Sequence, residues 1–143
     1  MAATIEKVLV IGMGKVGSLV GTLLHETGFQ VTGMDAAEPQ GLAFSVIKGD
    51  VKNPESLGAS LKEVDAVVSC LPYDLNINVA HAAHAAGIHY FDLTEDVPTT
   101  KAILELSETS KGLMAPQCGL APGFIGIVGS LLTKAFTKIR AIN

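Results

Sequence analysis

Short apolar runs alternate along the chain with longer amphipathic or alanine-rich segments. The runs predict strands at residues 5–11, 29–35, 43–48, 64–71, 88–93 and 112–117. The segments between them predict helices at residues 15–27, 53–62, 75–86, 97–110 and 122–135, and residues 138–142 have the pattern of another strand beginning. Strands that alternate with helices indicate βαβ units with right-handed crossovers. We therefore expect an α/β fold with one doubly wound parallel sheet in three layers, α/β/α.

The first predicted helix shows how apolar positions define a face. Val16, Leu19, Val20, Leu23 and Leu24 follow the spacing i, i+3, i+4, i+7 and i+8. This period is typical of an amphipathic helix. The helix at residues 53–62 begins with an Asn-Pro pair, in which asparagine is a common N-cap and proline fits the first turn.

Composition agrees with a buried parallel sheet and narrows the class of protein. Hydrophobic residues make up 48% of the 143-residue chain and the mean hydropathy is +0.42, as expected when both faces of a sheet are covered. The formal net charge is −4 without a basic stripe, which argues against nucleic-acid binding. No apolar run approaches the ~18–20 residues that span a bilayer, and no signal peptide is visible, so we expect no membrane association.

The two cysteines suggest a cytoplasmic location, and the length of the chain suggests one domain of a longer protein. Cys70 and Cys118 do not form a CxxC pair and fit a reducing, cytoplasmic location. No spacing of histidines, cysteines and acids indicates a metal site. Residues 1–143 are the length of one domain. Because the chain stops within the predicted strand at 138–142, we expect a C-terminal catalytic and dimerisation domain to be missing.

A glycine-rich turn follows the first predicted strand and opens the first predicted helix. Its sequence is Gly12-Met13-Gly14-Lys15-Val16-Gly17. In a Rossmann-like fold the first glycine allows the tight turn, the second admits the pyrophosphate to the backbone, and the third lets helix and strand pack closely. The pyrophosphate then lies on N–H groups at the helix N-terminus. The motif therefore predicts NAD(P) binding, whereas a turn kept small only for packing is the alternative.

Asp35 supplies the second element of a dinucleotide site. It ends the second predicted strand, roughly 20 residues beyond the glycines, where a carboxylate accepts hydrogen bonds from the adenosine ribose. A carboxylate there would repel a 2′-phosphate, and Ala36 and Ala37 offer no arginine to hold one. We therefore expect NAD to be favoured over NADP, while a solvated loop aspartate is the alternative.

The ends of the third and fourth predicted strands complete the expected cofactor site. We expect Asp50 to accept a hydrogen bond from the adenine amino group and Val51 to pack on the ring, unless this segment is only a turn that leads into a helix. Cys70, Leu71 and Pro72 follow the fourth strand, where the carboxyl edge of the sheet meets the ligand crevice.

Candidate chemistry follows the fifth and sixth predicted strands. Asp92, Thr94, Glu95 and Asp96 form an acidic cluster that could accept a proton or bind a substrate ammonium, although Thr94 or Asp96 is equally suited to cap the next helix. Cys118 follows the sixth strand and is either an acid/base group or a small packed thiol. Asp92 and Cys118 are therefore weak catalytic candidates.

Three segments together resemble the N-terminal NAD(P)-binding domain of the saccharopine dehydrogenase family, especially its lysine 6-dehydrogenase-like branch. They are VLVIGMGKVG at 8–17, CLPYDLNINVAHAAHAAGIHYFDLTED at 70–96 and CGLAPGFIGIVG at 118–129. The resemblance implies an NAD(P)-dependent oxidoreductase that acts on the C–N bond of an amino acid or amine, a small-molecule substrate, and a homodimer in the full-length protein. It also implies that this fragment alone is inactive.

One departure separates this chain from saccharopine reductases of the family. Those enzymes carry acidic residues in a pattern such as E-x-G-L-D-P-G, whereas this chain has Gln117 and Ala121 at the matching positions. The plain A-P-G pattern is more similar to the lysine 6-dehydrogenase-like branch.

Two other classes share part of the pattern. Nucleotide-sensing regulatory domains of potassium transporters resemble residues 8–68 in the glycine motif, the acidic end of the second strand and a Gly-Asp step, and Asn76 gives partial support. The segments at 90–94 and 121–123 argue against that alternative. Short-chain reductase-like proteins space their glycines as GxxGxxG and carry a YxxxK pair, and the sequence lacks both.

Overall fold

Six parallel strands form one sheet in the computed structural model, which describes residues 4–37 and 39–141. The strands are β1 Lys7–Ile11, β2 Gln30–Asp35, β3 Ser45–Lys48, β4 Ala66–Ser69, β5 His89–Asp92 and β6 Met114–Ala115. Their spatial order is β3-β2-β1-β4-β5-β6, and every pair of neighbours is parallel. This order confirms the predicted Rossmann-like, doubly wound sheet.

Helices connect most of the strands, near the predicted positions. They are α1 Lys15–Glu26, α2 Pro54–Ser60, α3 Tyr73–Ala86, α4 Val97–Ser107 and α5 Ile125–Thr133, the last preceded by a π-helical turn at Leu120–Phe124. Asn53 caps α2 as predicted, because its side chain accepts hydrogen bonds from the N–H groups of Glu55 and Ser56. Within the described residues, none of the helices is long and apolar enough to cross a membrane.

The alternation of side chains along the strands produces two apolar layers. On one face, Leu9 and Val67 belong to a core that includes Val79 of α3 and Ile103 of α4. On the other face, Val8, Val10 and Ala66 belong to a second core. Leu24 of α1 and Phe44 of the β2–β3 connection pack against that second core. The predicted three-layer arrangement is therefore confirmed.

Helix α1 approaches its neighbours most closely through glycines, and only part of its apolar side chains is covered. Gly17 and Gly21 are its buried residues, whereas Val16, Leu19 and Leu23 are between 52% and 59% exposed. A Cβ atom at Gly21 would lie 2.6 Å from the Phe44 ring, so that only glycine allows this approach. The apolar spacing predicted the helix correctly, but it did not identify the residues that α1 buries.

The C-terminal part departs most from the predicted elements. Strand β6 has two residues instead of the predicted 112–117, because Pro116 has no N–H to donate and Gln117 has a φ of 65°, which turns the chain away. The prediction of a strand at 138–142 is wrong for residues 138–141, which lie outside the sheet, and Ile142 lies outside the described residues.

Candidate dinucleotide-binding site

The strand order reverses between β1 and β4, and this reversal creates the crevice where a ligand can bind. From β1 the chain continues through α1 to β2 on one side, whereas β4 continues through α3 to β5 on the other. Open parallel sheets bind ligands at such switch points, outside the carboxyl ends of the strands. The N–H of Cys70 donates to the carbonyl of Ile11 at 2.8 Å, so the two strand ends stay together at this edge.

Gly12 begins the turn after β1 and is required there for two independent reasons. Its φ of 89° is rarely accessible to residues with a side chain. A Cβ atom at this position would also lie 2.9 Å from the carbonyl oxygen of Cys70. Its N–H donates to the carbonyl of Met34 at 2.9 Å, which joins the turn to β2.

The other two glycines of the motif face different surroundings. A Cβ atom at Gly17 would collide with the carbonyl oxygen of Gly12, so this glycine permits the close packing of α1 on the turn. Gly14 is the N-cap of α1 and has no neighbouring atom within 4 Å of the Cβ position. Gly14 has no side chain to cap α1, and the first turn of the helix contains no acidic residue. The positive end of the helix dipole is therefore open to an anion.

Asp35 connects the glycine turn to the end of β2. Its Oδ2 atom accepts a hydrogen bond of 2.7 Å from the N–H of Met13, and its Oδ1 atom accepts one of 2.9 Å from the N–H of Ala37. An ionised carboxylate has about four lone-pair sites, so these two contacts leave acceptor capacity for ribose hydroxyls. A carboxylate with spare acceptor capacity therefore lies directly beside the turn.

A cavity of about 500 Å³ lies next to this turn. It is lined by several of the predicted cofactor residues, namely Gly12, Asp35, Asp50, Val51 and Leu71. The remaining lining residues are Ile11, Met34, Ala36, Lys48, Gly49, Lys52 and Leu75. The cavity therefore joins the ends of β1, β2, β3 and β4 in one space, with both apolar and charged residues in its lining.

Asp50 and Val51 have features of both an adenine site and a turn that leads into a helix, the two alternatives that the sequence left open. Val51 is only 9% exposed and belongs to the apolar core, yet it also lines the cavity. Asp50 is exposed, and its Oδ1 atom accepts a hydrogen bond of 2.9 Å from the N–H of Lys52. Its carbonyl accepts the N–H of Asn53 at 3.0 Å, so this segment also forms the turn that leads into α2.

The other predicted cofactor residues do not belong to the described lining of this cavity. Met13 is buried in the core, whereas Lys15 and Val16 are exposed at the start of α1. Cys70 is partly buried, and burial raises the pKa of its thiol to about 11. Pro72 precedes α3 as its N-cap residue.

Two lysines of the cavity were missed by the sequence analysis. Lys48 ends β3 and pairs in register with Asp35, and Lys52 follows within the turn toward α2. The signal that could have found them is the parallel pairing of β2 with β3, which brings both strand ends to one edge.

The two weak catalytic candidates lie near each other, after β5 and β6. Asp92 is fully buried, and the N–H of Cys118 donates to its carbonyl at 2.8 Å. The Cys118 thiol is exposed and lies 3.3 Å from the carbonyl of Ala115, to which it donates. Partial burial, followed by the charge of Asp92, raises the pKa of Cys118, which favours the protonated thiol.

Thr94 and Asp96 of the acidic cluster have structural contacts, whereas Glu95 is exposed. Asp96 caps α4, because its Oδ2 atom accepts hydrogen bonds from the N–H and the hydroxyl of Thr99. These two contacts lower the pKa of Asp96. The hydroxyl oxygen of Thr94 accepts the N–H of Asp96 at 3.2 Å. The capping alternative is therefore confirmed for Asp96.

Several solved structures share this fold. Apo saccharopine dehydrogenase (L-Glu forming) from Saccharomyces cerevisiae is 20% identical, with a TM-score of 0.70 over 91% of this chain and 31% of its own. A D-isomer specific 2-hydroxyacid dehydrogenase family protein from Klebsiella pneumoniae is 21% identical, with a TM-score of 0.57 over 77% of this chain and 36% of its own. A variant of uronate dehydrogenase from Agrobacterium tumefaciens, complexed with NAD, is 16% identical, with a TM-score of 0.52 over 64% of this chain and 41% of its own.

These similarities establish the fold, and the chain spans about a third of the length of the yeast protein. The family is established by a separate match. A profile described as the saccharopine dehydrogenase NADP binding domain matches residues 8–115. Because this match covers well over half of the chain, the protein belongs to the saccharopine dehydrogenase family through its NAD(P)-binding domain.

Proposed function

We propose that this chain is the cofactor-binding domain of an oxidoreductase that acts on the C–N bond of an amino acid or amine. The observation that carries the proposal is the hydrogen bond between Asp35 and Met13, which holds a carboxylate beside an uncapped helix N-terminus. Family membership supports the dehydrogenase class. When bound, the nicotinamide nucleotide supplies hydride transfer, and the protein supplies binding and orientation.

The residues of the crevice fit the parts of a dinucleotide. The pyrophosphate fits the open N-terminus at Gly14, where a side chain is absent. The adenosine ribose fits the carboxylate of Asp35. The adenine fits the 500 Å³ cavity, where Val51 and Leu71 provide apolar contacts and Asp50 an acceptor at the rim.

We propose NAD as the preferred cofactor. Asp35 is a negative group at the position that a 2′-phosphate would approach, and Ala36 and Ala37 provide no positive charge. NADP is the alternative, supported by Lys48 and Lys52 in the same cavity and by the description of the family profile.

The alternative function, a nucleotide-sensing regulatory domain of a potassium transporter, has less support. That alternative was partly supported by the presence of Asn76. The Asn76 side chain is 1% exposed and accepts a hydrogen bond of 2.7 Å from the hydroxyl of Ser69. Such a residue contributes to packing between β4 and α3 rather than to an accessible ligand surface. We also propose a reducing, cytoplasmic location, because both cysteines are free thiols.

Calorimetric titration of the chain with NADH, NADPH and ADP-ribose tests the binding proposal. We expect saturable binding of NADH with a Kd between about 1 μM and 1 mM, which is the range of enzyme affinities for cofactors and substrates. The absence of binding by all three nucleotides at about 1 mM would overturn the proposal. An assay of NADH formation with lysine and other amines, on the longest protein that the gene encodes, tests the substrate class.

A further inference from the structure

A set of buried polar groups lies beneath the carboxyl ends of β4 and β5. Ser69, Asn76 and Asp92 are each at most 1% exposed. The Tyr90 hydroxyl donates to Oδ2 of Asp92 at 2.7 Å and lies 3.3 Å from the carbonyl of Asn76. Burial and the charge of Asp92 raise the pKa of Tyr90, so the hydroxyl keeps its proton and remains a donor. A buried carboxylate is costly unless such donors satisfy it.

The second carboxylate oxygen of Asp92 joins two loops. Oδ1 accepts the N–H of Thr94 at 2.9 Å and the N–H of Gln117 at 3.0 Å. The main-chain carbonyl of Asp92 accepts the N–H of Cys118 at 2.8 Å. Asp92 therefore fixes the first two residues of the loop at 117–123, which follows β6.

The path of the 117–123 loop depends on this support. Gln117 has a φ of 65°, a left-handed conformation that is unfavourable for residues with a Cβ atom. Further along, a Cβ atom at Gly119 would lie 3.1 Å from the carbonyl of Leu93, and one at Gly123 would lie 2.6 Å from the carbonyl of Gln117. The loop is thus folded closely on itself and on the end of β5.

The position of the loop gives this support a functional meaning. The cavity proposed for the adenosine half lies mainly at the ends of β1, β2 and β3, and it reaches the end of β4 only at Leu71. A dinucleotide that crosses the sheet at the reversal between β1 and β4 extends its other half toward β5 and β6. The 117–123 loop therefore stands on the side of the nicotinamide.

We propose that Asp92 is a positioning residue whose buried carboxylate holds the 117–123 loop against the nicotinamide half of the bound cofactor. This inference rests on the proposed function. Asp92 is fully buried, and its oxygen atoms accept hydrogen bonds from Tyr90, Thr94, Gln117 and Cys118 of the protein itself. It acts on the reaction through the loop and exchanges no proton with the substrate.

A comparison of the affinities for NADH and for ADP-ribose, which lacks the nicotinamide ring, distinguishes this positioning role from a general loss of stability. In Asp92→Ala we expect the affinity for NADH to fall about tenfold, because two main-chain donors lose their acceptor, while ADP-ribose affinity stays within about twofold. Asp92→Asn retains an oxygen for both N–H groups and restores NADH affinity to within about threefold. Tyr90→Phe is the matched control, since it removes a network hydrogen bond but leaves the contacts of Oδ1, and we expect an unchanged ratio of the two affinities.

Equal losses for NADH and ADP-ribose in Asp92→Ala would overturn the inference, and so would an unchanged NADH affinity. A wild-type chain that binds neither nucleotide would instead overturn the proposed function. If Asp92→Ala does not fold, amide hydrogen exchange in the wild-type chain decides. We expect the Gln117 N–H to exchange at least about tenfold more slowly than an unprotected amide. Exchange at the unprotected rate contradicts the proposed support.

Discussion

The carboxylate of Asp35 accepts a hydrogen bond of 2.7 Å from the main-chain N–H of Met13. The acidic residue that ends β2 therefore fixes the glycine turn that follows β1. A second contact, from the N–H of Gly12 to the carbonyl of Met34, reinforces this connection. The proposed ribose acceptor and the proposed pyrophosphate site therefore belong to one structural unit, and we expect changes in one to affect the other.

Replacement of Asp35 tests the ribose contact. In Asp35→Ala we expect the affinity for NADH to fall about tenfold, because the ribose loses its acceptor. We expect a smaller loss of affinity for NADPH, because its 2′-phosphate also loses a repelling charge. Asp35→Asn keeps an oxygen for the Met13 N–H and serves as the control for the turn itself. Calorimetry with both nucleotides measures the effect, and equal losses in Asp35→Ala would remove Asp35 from the ribose site.

The glycines of the turn allow binding and folding to be separated. Gly14→Val adds a side chain where no atom lies within 4 Å, so we expect only about 1 kcal/mol of destabilisation from the poorer N-cap but no detectable NADH binding. Gly17→Ala instead places a methyl group against the Gly12 carbonyl, and we expect a marked loss of melting temperature. Thermal unfolding and NADH titration of both variants provide the comparison. Normal NADH affinity in Gly14→Val would refute the pyrophosphate site.

The lysines of the cavity discriminate between the two cofactors. If NAD is preferred, Lys48→Ala changes the affinities for NADH and NADPH by the same small factor, because no 2′-phosphate is held there. A selective loss of NADPH affinity, about tenfold or more, would identify Lys48 as a phosphate ligand and favour NADP. Lys62→Ala is a suitable control, because Lys62 is exposed and lies outside the described lining of the cavity.

The reactivity of Cys70 follows from its burial. In a Cys118→Ser variant only Cys70 can be alkylated. Thiolate is the reactive form, and below the pKa its fraction rises about tenfold for each unit by which the pH increases. Burial raises the pKa of Cys70 from the ordinary thiol value of 9.0 to about 11. We therefore expect the rate of alkylation by iodoacetamide to keep rising as the pH is increased above 9.0. A plateau near pH 9 contradicts this assignment.

The sequence predicted the sheet and the glycine turn because both depend on local patterns. Apolar runs identified all six strands, and the spacing of Gly12, Gly14 and Gly17 identified the turn. The bond from Met13 to Asp35 was not predictable in this way, since it depends on the register of two strands that are distant in sequence. The same holds for Lys48, which reaches the cavity through the pairing of β3 with β2.

Other differences arise where tertiary packing overrides local preference. The spacing of apolar residues predicted α1, yet Val16, Leu19 and Leu23 are exposed. The fully buried positions of the helix are Gly17 and Gly21, where the backbone packs closely. Asp92 was considered as a proton acceptor from its place at a strand end, and its burial and partners became visible only in three dimensions.

We propose that main-chain amides at the start of α1 bind the pyrophosphate of a nicotinamide nucleotide. A titration of isotopically labelled protein with NADH, monitored by amide chemical shifts, tests this binding site residue by residue. We expect the largest shifts at Gly14, Lys15 and Val16, with further changes at Met13 through its hydrogen bond to Asp35. Shifts concentrated elsewhere, or no shifts at saturating NADH, would show that the pyrophosphate does not bind there.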